Sequence, residues 1–239
     1  MRKLLGWAIC LIAVAALSLS VKVAPSNAGG GTISGKVSFS GDAPPRRKIQ
    51  MVADPSCAKL NEGGRLGEAV IINDGALQNV FVYLKEGVSG KHEIPKTPVT
   101  IDQKRCMYSP RILGTMAGQT LEIINSDATL HNVHSLPKKS RQFNNAMPIK
   151  GMKIKKKFTS PEVMVRIKCD VHPWMAAYVG VLDHPYYAVS AADGSFSIAD
   201  VPAGSYTIEA WHEKFGTKTA SVEVSEDGTA TANFSFSAE

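Results

Sequence analysis

The chain has 239 residues, with 27 lysines and arginines against 21 aspartates and glutamates, and a formal net charge of +6 with histidine neutral. Hydrophobic residues make up 44% and charged residues 20%, close to the globular average, which argues against a wholly disordered chain and against a multi-span membrane protein. The positive excess is mild and lacks dense basic runs spaced by aromatic residues, so nucleic acid is not an expected partner.

The first 28 residues predict a secretory signal peptide. Arg2 and Lys3 precede an apolar stretch at 4–21, and the small residues Ser26 and Ala28 stand at the two positions that matter for cleavage. We therefore expect a periplasmic or secreted protein with no stable membrane span after cleavage. The alternative is an uncleaved anchor, since the apolar stretch is close to the minimum length of a membrane-spanning helix.

From residue 31 onward, short runs of alternating apolar and polar residues are separated by Gly, Pro, Asp and Asn, which is typical of an all-β sandwich. Four runs predict strands with one buried face. Those faces carry Ile33, Val37 and Phe39; Val80, Val82 and Leu84; Leu121 and Ile123; and Val163, Val165, Ile167 and Cys169. The last alternation points the Cys169 side chain inward. Short helical turns are predicted only at 54–60 and 140–147.

Side chains with metal-binding chemistry follow the strand that leads to Cys169. Cys169, His172 and Met175 have the spacing C-x2-H-x2-M, and thiolate, imidazole and thioether are the ligands that a mononuclear copper site needs. A third strong ligand must come from elsewhere, and His131 and His134 follow an upstream strand. Each of these residues alone has an ordinary structural explanation. Their joint occurrence at strand ends indicates a metal centre.

Three stretches resemble the cupredoxins, most closely amicyanin and pseudoazurin. They are Asn125, His131-Asn132-Val133-His134 and Cys169-Asp170-Val171-His172-Pro173-Trp174-Met175. The resemblance implies one type 1 (blue) copper ion, held by His131, Cys169 and His172 with Met175 as a weak axial ligand. His134 matches a position that is not a ligand in the family. The implied function is one-electron transfer, and we expect His172 to lie near the surface as the electron port.

Two positions of the ligand loop depart from that family. Asp170 stands where relatives often carry a Ser or Thr hydrogen-bonded to the Asn after the first histidine, and Val171 stands where the amicyanin type carries Pro. A carboxylate beside a copper thiolate favours Cu(II) and lowers the reduction potential, whereas the Val171 amide, absent in Pro, is a donor that would raise it. The sequence leaves open which effect dominates.

The exported chain keeps three of the four cysteines, because Cys10 lies in the signal segment. We expect Cys57 and Cys106 to form a disulfide, which leaves Cys169 free as a thiolate. Such a bridge closes about 49 residues and stabilises an unstrained fold by roughly 4 kcal/mol in the chain-entropy model. The alternative is that all three cysteines bind one metal.

The C-terminal region resembles the carboxypeptidase regulatory-like, transthyretin-type β-sandwich. Residues 191–208 carry the spacing DG-x-F followed by VP-x-G-x-Y, and the strands at 32–37 and 80–84 fit two earlier strands of that family. We therefore predict a regulatory-like sandwich built from 29–96 and 183–239, with a Greek-key cupredoxin-like copper domain inserted at 97–182. Two tandem sandwiches are the simpler alternative.

Two further features of the sequence give weaker indications of function. Five lysines lie close together in the copper unit: Lys150, Lys153, Lys155, Lys156 and Lys157. They form either a solvated strand face or a surface that steers an acidic redox partner. Trp211, His212 and Glu213 place an imidazole beside a carboxylate, but no other ligand is near them in the sequence.

An enzyme is not expected. Multicopper enzymes need additional clusters of paired histidines, whereas His92, His184 and His212 are scattered along the sequence. The alternative to an electron carrier is a protein of another functional class: a copper-binding or storage protein, or a surface-interaction module with structural copper. Carbohydrate is a ligand that similar sandwiches bind, although no residue here supports it.

Overall fold

The computed structural model describes residues 29–238, so the predicted signal peptide lies outside the described residues. Within that range, no helix has the length and apolarity needed to cross a membrane. The elements are α1 (Pro55–Leu60), β1 (Gly31–Ser40), β2 (Ile72–Asn73), β3 (Ala76–Leu77), β4 (Phe81–Glu86), β5 (Val99–Lys104), β6 (Met107–Ser109), β7 (Ile112–Met116), β8 (Leu121–Asn125), β9 (His131–Leu136), β10 (Asn144–Met147), β11 (Lys153–Lys156), β12 (Glu162–Lys168), β13 (Ala176–Leu182), β14 (Tyr187–Val189), β15 (Ser195–Val201), β16 (Gly204–His212), β17 (Gly216–Val224), β18 (Thr229–Thr231) and β19 (Phe234–Ser237).

The first sandwich joins strands from both ends of the described chain. Strand β1 pairs antiparallel with β15 and β3 and parallel with β18 and β19, and β2 extends this sheet beyond β3. The opposing sheet has the order β14-β4-β16-β17. Ile33, Val37, Leu84, Ile208 and Phe236 belong to the core that the two sheets enclose. Strands β1, β15 and β16 therefore belong to one sandwich, although β5 to β13 lie between β1 and β15 in the chain.

The second sandwich is formed by strands β5 to β13, between β4 and β14 in the chain. One sheet has the order β10-β9-β12-β13-β7 and the other β11-β8-β5-β6. The apolar faces predicted for β8 and β12 contribute Leu121, Ile123, Val165 and Ile167 to its core. The fold is all-β, as the alternating sequence pattern predicts.

One of the two predicted helical turns is confirmed. Helix α1 begins after Asp54, whose side chain accepts a hydrogen bond from the Cys57 amide at 3.0 Å, and Pro55 occupies the first turn. Met51 and Cys57 pack in the core of the second sandwich, although they lie in the stretch assigned by sequence to the first.

The helical turn predicted at 140–147 is wrong. Residues Asn144–Met147 form strand β10, which pairs antiparallel with β9 and places Met147 opposite His131. Met147 is fully buried, so packing on β9 and the strand ladder override the weak local preference for a turn.

The two sandwiches meet across a small apolar interface. Phe81 and Tyr83 on β4 pack with Ile112 and Leu182, so both faces of β4 are buried rather than the one face that alternation predicts. The glycines of the facing strands β7 and β13 permit this contact. A Cβ on Gly114 would lie 2.1 Å from the Tyr187 ring, and one on Gly180 would lie 2.3 Å from the Phe81 ring.

Candidate metal centre

The predicted nitrogen and sulfur ligands converge at one end of the second sandwich. His131 begins β9, Cys169 follows β12, and β9 and β12 are paired neighbours, so the strand register brings these ends together. The Nδ1 atoms of His131 and His172 are 2.9 Å apart, and the Cys169 Sγ lies 3.7 Å from the His172 Nδ1. Potential ligand atoms of all three side chains lie within 4.8 Å of one another, and all three residues are buried.

The loop at 169–175, which carries Cys169, His172 and Met175, is held together by backbone hydrogen bonds. The Met175 amide donates to the His172 carbonyl oxygen at 2.9 Å, and the Cys169 amide donates to the Met175 carbonyl oxygen at 3.3 Å. Met175 is fully buried in the core of the second sandwich at the end of this loop. The short C-x2-H-x2-M spacing therefore folds into a tight turn that returns the chain to β13.

Hydrogen bonds tie the two ligand-bearing segments to each other. The Asp170 amide donates to the Asn132 Oδ1 at 2.5 Å, and the Asn132 Nδ2 donates to the Asp170 Oδ2 at 3.1 Å. The Tyr108 hydroxyl donates to the Asn132 carbonyl oxygen at 2.6 Å, and the Lys168 carbonyl oxygen lies 3.1 Å from the same hydroxyl. Asp170 thus makes the link to the Asn after the first histidine that Ser or Thr often makes in cupredoxins.

A carboxylate holds the outer nitrogen of each histidine. The His131 Nε2 lies 3.0 Å from the Asp127 Oδ2, and the His172 Nε2 lies 2.9 Å from the Asp54 Oδ2. Asp127 is itself fixed by the amides of Arg105 and Cys106, at 2.8 and 2.7 Å. Each carboxylate places the N–H on Nε2 and leaves Nδ1 as the inward-facing ligand atom.

The electrostatics favour a thiolate at the centre. Burial opposes ionisation, but hydrogen bonds from His131 and His172 dominate and lower the pKa of Cys169 to about 6. Burial likewise opposes the charged imidazole of His131, but Asp127 and Cys169 raise its pKa to about 9. Thiolate is the form of cysteine that binds metal ions. The backbone amides of Asn132 and His172 also lower the pKa of the Cys169 thiol.

The expected position of His172 near the surface is wrong. Only 1% of the His172 surface is exposed, because the segment that carries Asp54 and α1 lies over its outer edge. The Cys57–Cys106 disulfide is present and attaches α1 to the β5–β6 hairpin. The Cys57 Sγ lies 3.6 Å from the His172 Nε2. This disulfide also excludes the alternative in which three cysteines bind one metal.

His134 does not join the cluster. Its Nδ1 lies 2.9 Å from the Asp170 Oδ2 and its Nε2 contacts the Gln142 side-chain amide. The predicted structural role of His134 therefore agrees with its contacts.

The remaining donor set of two imidazoles, one thiolate and a buried thioether fits copper, because soft sulfur ligands favour Cu(I) and imidazole suits both oxidation states.

Trp211, His212 and Glu213 form no metal cluster with other ligands in the described part of the chain. Both Glu213 carboxylate oxygens accept hydrogen bonds from Arg111 across the interface between the sandwiches. The buried His212 ring stacks on Phe215, with the ring centroids 4.6 Å apart. These residues have structural roles.

His212 is expected to destabilise the fold in acid. Burial, with Arg111 and Lys214 nearby, lowers its pKa from 6.5 to about 4. The unfolded chain therefore binds this proton below about pH 6.5, whereas the folded chain binds it only below about pH 4. The resulting loss in the free energy of unfolding is about 3 kcal/mol over that range and is absent above it.

His212→Phe keeps a ring stacked on Phe215 and removes this titration. Urea unfolding of the metal-free protein at about pH 7 and about pH 4.5 should show a smaller loss of stability in the variant than in the wild type. Equal losses in the two proteins would show that other groups cause the acid sensitivity.

Sequence reasoning missed the two carboxylates of the centre. Asp127 carries a local signal, since it lies four residues before His131 and Asn125 accepts its backbone amide hydrogen bond at 2.9 Å. Asp54 carries none, because it lies 118 residues before His172 and reaches it only in the folded chain.

The chain is similar to known proteins in two regions. The family model of the carboxypeptidase regulatory-like domain matches residues 172–237. A copper-containing nitrite reductase from Thermus scotoductus SA-01 is 22% identical over 42% of this chain and 25% of that chain, with a TM-score of 0.35. The match therefore spans only a quarter of the reductase.

The match spans most of the length of some smaller proteins of the cupredoxin type. A purple cupredoxin from Nitrosopumilus maritimus is 24% identical over 34% of this chain and 97% of that chain, with a TM-score of 0.30. An oxidised amicyanin variant is 25% identical over 37% of this chain and 86% of that chain, with a TM-score of 0.33. The chain is thus an all-β protein similar to the carboxypeptidase regulatory-like domain over residues 172–237 and similar to cupredoxins over about a third of its length.

Proposed function

We propose that this chain binds one copper ion as a type 1 centre and carries single electrons between redox partners outside the cytoplasm, without catalysing a reaction of its own. The observation that carries this proposal is the buried convergence of the His131 Nδ1, the His172 Nδ1 and the Cys169 Sγ, all within 4.8 Å. Met175 is the proposed weak axial ligand, since it is buried at the end of the same loop.

The residues around the centre suit electron transfer because hydrogen bonds hold the proposed ligands in fixed positions. Copper, when bound, supplies a one-electron couple between Cu(I) and Cu(II). Asp127 and Asp54 fix the orientations of His131 and His172, and the Asn132–Asp170 hydrogen bonds fix the distance between the ligand segments. A ligand set held in one geometry changes little between oxidation states, and its burial keeps water away.

The disulfide supports a location outside the cytoplasm. Structural disulfides persist in oxidising compartments and are rare in the cytosol. Cys57–Cys106 therefore agrees with the export that the first 28 residues predict, to the periplasm or beyond the cell.

Repeated redox cycling tests the electron-transfer proposal against copper storage. The protein, loaded with Cu(II) and treated alternately with ascorbate and hexacyanoferrate(III), should lose and regain its visible absorption over many cycles, with one copper per chain. A colourless Cu(I) form that never reoxidises would favour storage. Two histidines on β9 give matched variants, since His131→Gln should abolish the visible band and His134→Gln should retain it.

Asp170→Asn is expected to raise the reduction potential, because it removes a negative charge next to the thiolate residue Cys169. The increase should be modest, since the Lys168 ammonium lies 2.7 Å from the Asp170 Oδ1 and already offsets that charge. Voltammetry of the two copper-loaded proteins measures the difference. An unchanged or lower potential would reject this electrostatic explanation.

A further inference from the structure

The Nε2 edge of His172, which was expected to contact a redox partner, is covered by another segment of this chain. The His172 Nε2 faces the Asp54 carboxylate at 2.9 Å and the Cys57 Sγ at 3.6 Å. The Thr129 hydroxyl donates to the same Asp54 oxygen at 3.0 Å, so the covering segment is held from a second side. A partner that docks on this chain cannot contact the His172 ring without displacing that segment.

Trp174 connects the centre to the surface. Its ring lies 5.0 Å from the His172 ring, centroid to centroid, at an angle of 40°. Its Nε1 donates to the Cys106 carbonyl oxygen at 3.0 Å, which fixes the indole against the disulfide-bonded hairpin. Trp174 is half-buried, so one side faces His172 and another reaches solvent.

The solvent side of Trp174 lines a concavity of about 450 Å³ with positive charge around it. Arg47, Lys48, Glu68 and Arg111 are among its lining residues. Glu68 and Arg111 are each in an ion pair with another side chain. Arg47 and Lys48 are exposed and make no ion pair with any residue of the described range, so the concavity presents their charges to solvent.

We propose that this concavity is the electron-transfer docking surface, that Trp174 is its conducting contact to His172, and that the partner is a redox protein with an acidic surface. This inference rests on the proposed copper function. A single electron passes from the reduced partner to the oxidised centre, or in the reverse direction, and no bond forms or breaks. Arg47 and Lys48 would attract and orient the acidic partner.

The lysines of the β11 region suit this role less well. Strand β11 is the edge strand of its sheet and runs antiparallel to β8, and Lys153 pairs with Glu122 at 3.6 Å. Lysines on an edge strand prevent pairing with other chains, which accounts for them without a redox partner. Lys155 and Lys157 are exposed and therefore provide a matched control for the charges at the concavity.

Oxidation of the reduced, copper-loaded protein by hexacyanoferrate(III), a small anionic oxidant, tests the charge contribution. At low ionic strength, the double variant Arg47→Glu/Lys48→Glu should react at least about tenfold more slowly than the wild type, and added salt should shrink the difference. The double variant Lys155→Glu/Lys157→Glu makes the same charge change and should react at nearly the wild-type rate. Equal slowing in the two variants, or slowing only in the β11 variant, would overturn the docking surface.

Trp174→Leu tests the conducting contact. It should slow oxidation several-fold with both hexacyanoferrate(III) and a cationic cobalt(III) phenanthroline complex, while Trp174→Phe keeps more of the rate. The visible band must persist in each variant, which separates the two proposals. A wild type without the band overturns both, whereas an intact band with wild-type rates in Trp174→Leu overturns the docking inference alone.

Discussion

Replacing both Cys57 and Cys106 with serine is expected to lower the free energy of unfolding by roughly 4 kcal/mol. The bridge joins residues 49 positions apart, and without it the unfolded chain gains the conformational entropy of that open loop. The folded chain also loses the link between α1 and the β5–β6 hairpin, which keeps Asp54 over His172.

Urea unfolding of the copper-free variant and wild type measures this difference. Wild-type protein reduced under denaturing conditions and refolded in reductant is the control, and it should match the double variant. A loss below about 1 kcal/mol would mean that the packing of Met51 and the contacts of Asp54 hold the covering segment without the disulfide.

Glu213→Ala is expected to destabilise the protein by about 3–5 kcal/mol, because it leaves the Arg111 guanidinium buried without its counter-charge. The Arg111 side chain is 8% exposed and that of Glu213 6%, and the pair joins the residue before β7 in the second sandwich to the residue after β16 in the first. One further guanidinium nitrogen donates to the Ala176 carbonyl oxygen at 3.2 Å.

A double variant separates the cost of an unpaired charge from the value of the pair. Arg111→Met/Glu213→Leu should recover much of the lost stability, since apolar residues of similar size often replace a buried ion pair without loss. Glu122→Ala, which breaks the more exposed pair with Lys153, should cost less than about 1 kcal/mol. A Glu213→Ala protein within about 1 kcal/mol of the wild type would show that the interface does not depend on this pair.

Local sequence patterns predict much of the all-β fold and two of the three side chains that cluster at the candidate metal centre, Cys169 and His172. Cys169, His172 and Met175 are close in the chain, so their spacing alone places them on one loop. His131 was identified by its resemblance to the cupredoxin pattern. The inward direction of Cys169 followed from period-two alternation along β12, and Cys169 is buried as expected.

Long-range packing determines two features that local sequence patterns do not predict. The second face of β4 is buried because Phe81 and Tyr83 pack on the other sandwich, which no alternation within the strand encodes. The closure of His172 has the same origin, since Asp54 arrives from a distant segment held by the disulfide. A family pattern alone therefore placed His172 at the surface, where this chain has covered it.

The visible absorption of the Cu(II)-loaded protein tests the central claim most directly. One equivalent of Cu(II) added to the mature wild-type chain should produce a strong thiolate-to-copper charge-transfer band that saturates at one copper per chain and bleaches with reductant. Cys169→Ser should lack that band, while a Cys57→Ser/Cys106→Ser protein that still folds should keep it. Copper binding without a thiolate band in the wild type, or an unchanged band in Cys169→Ser, would contradict a copper–thiolate centre at Cys169.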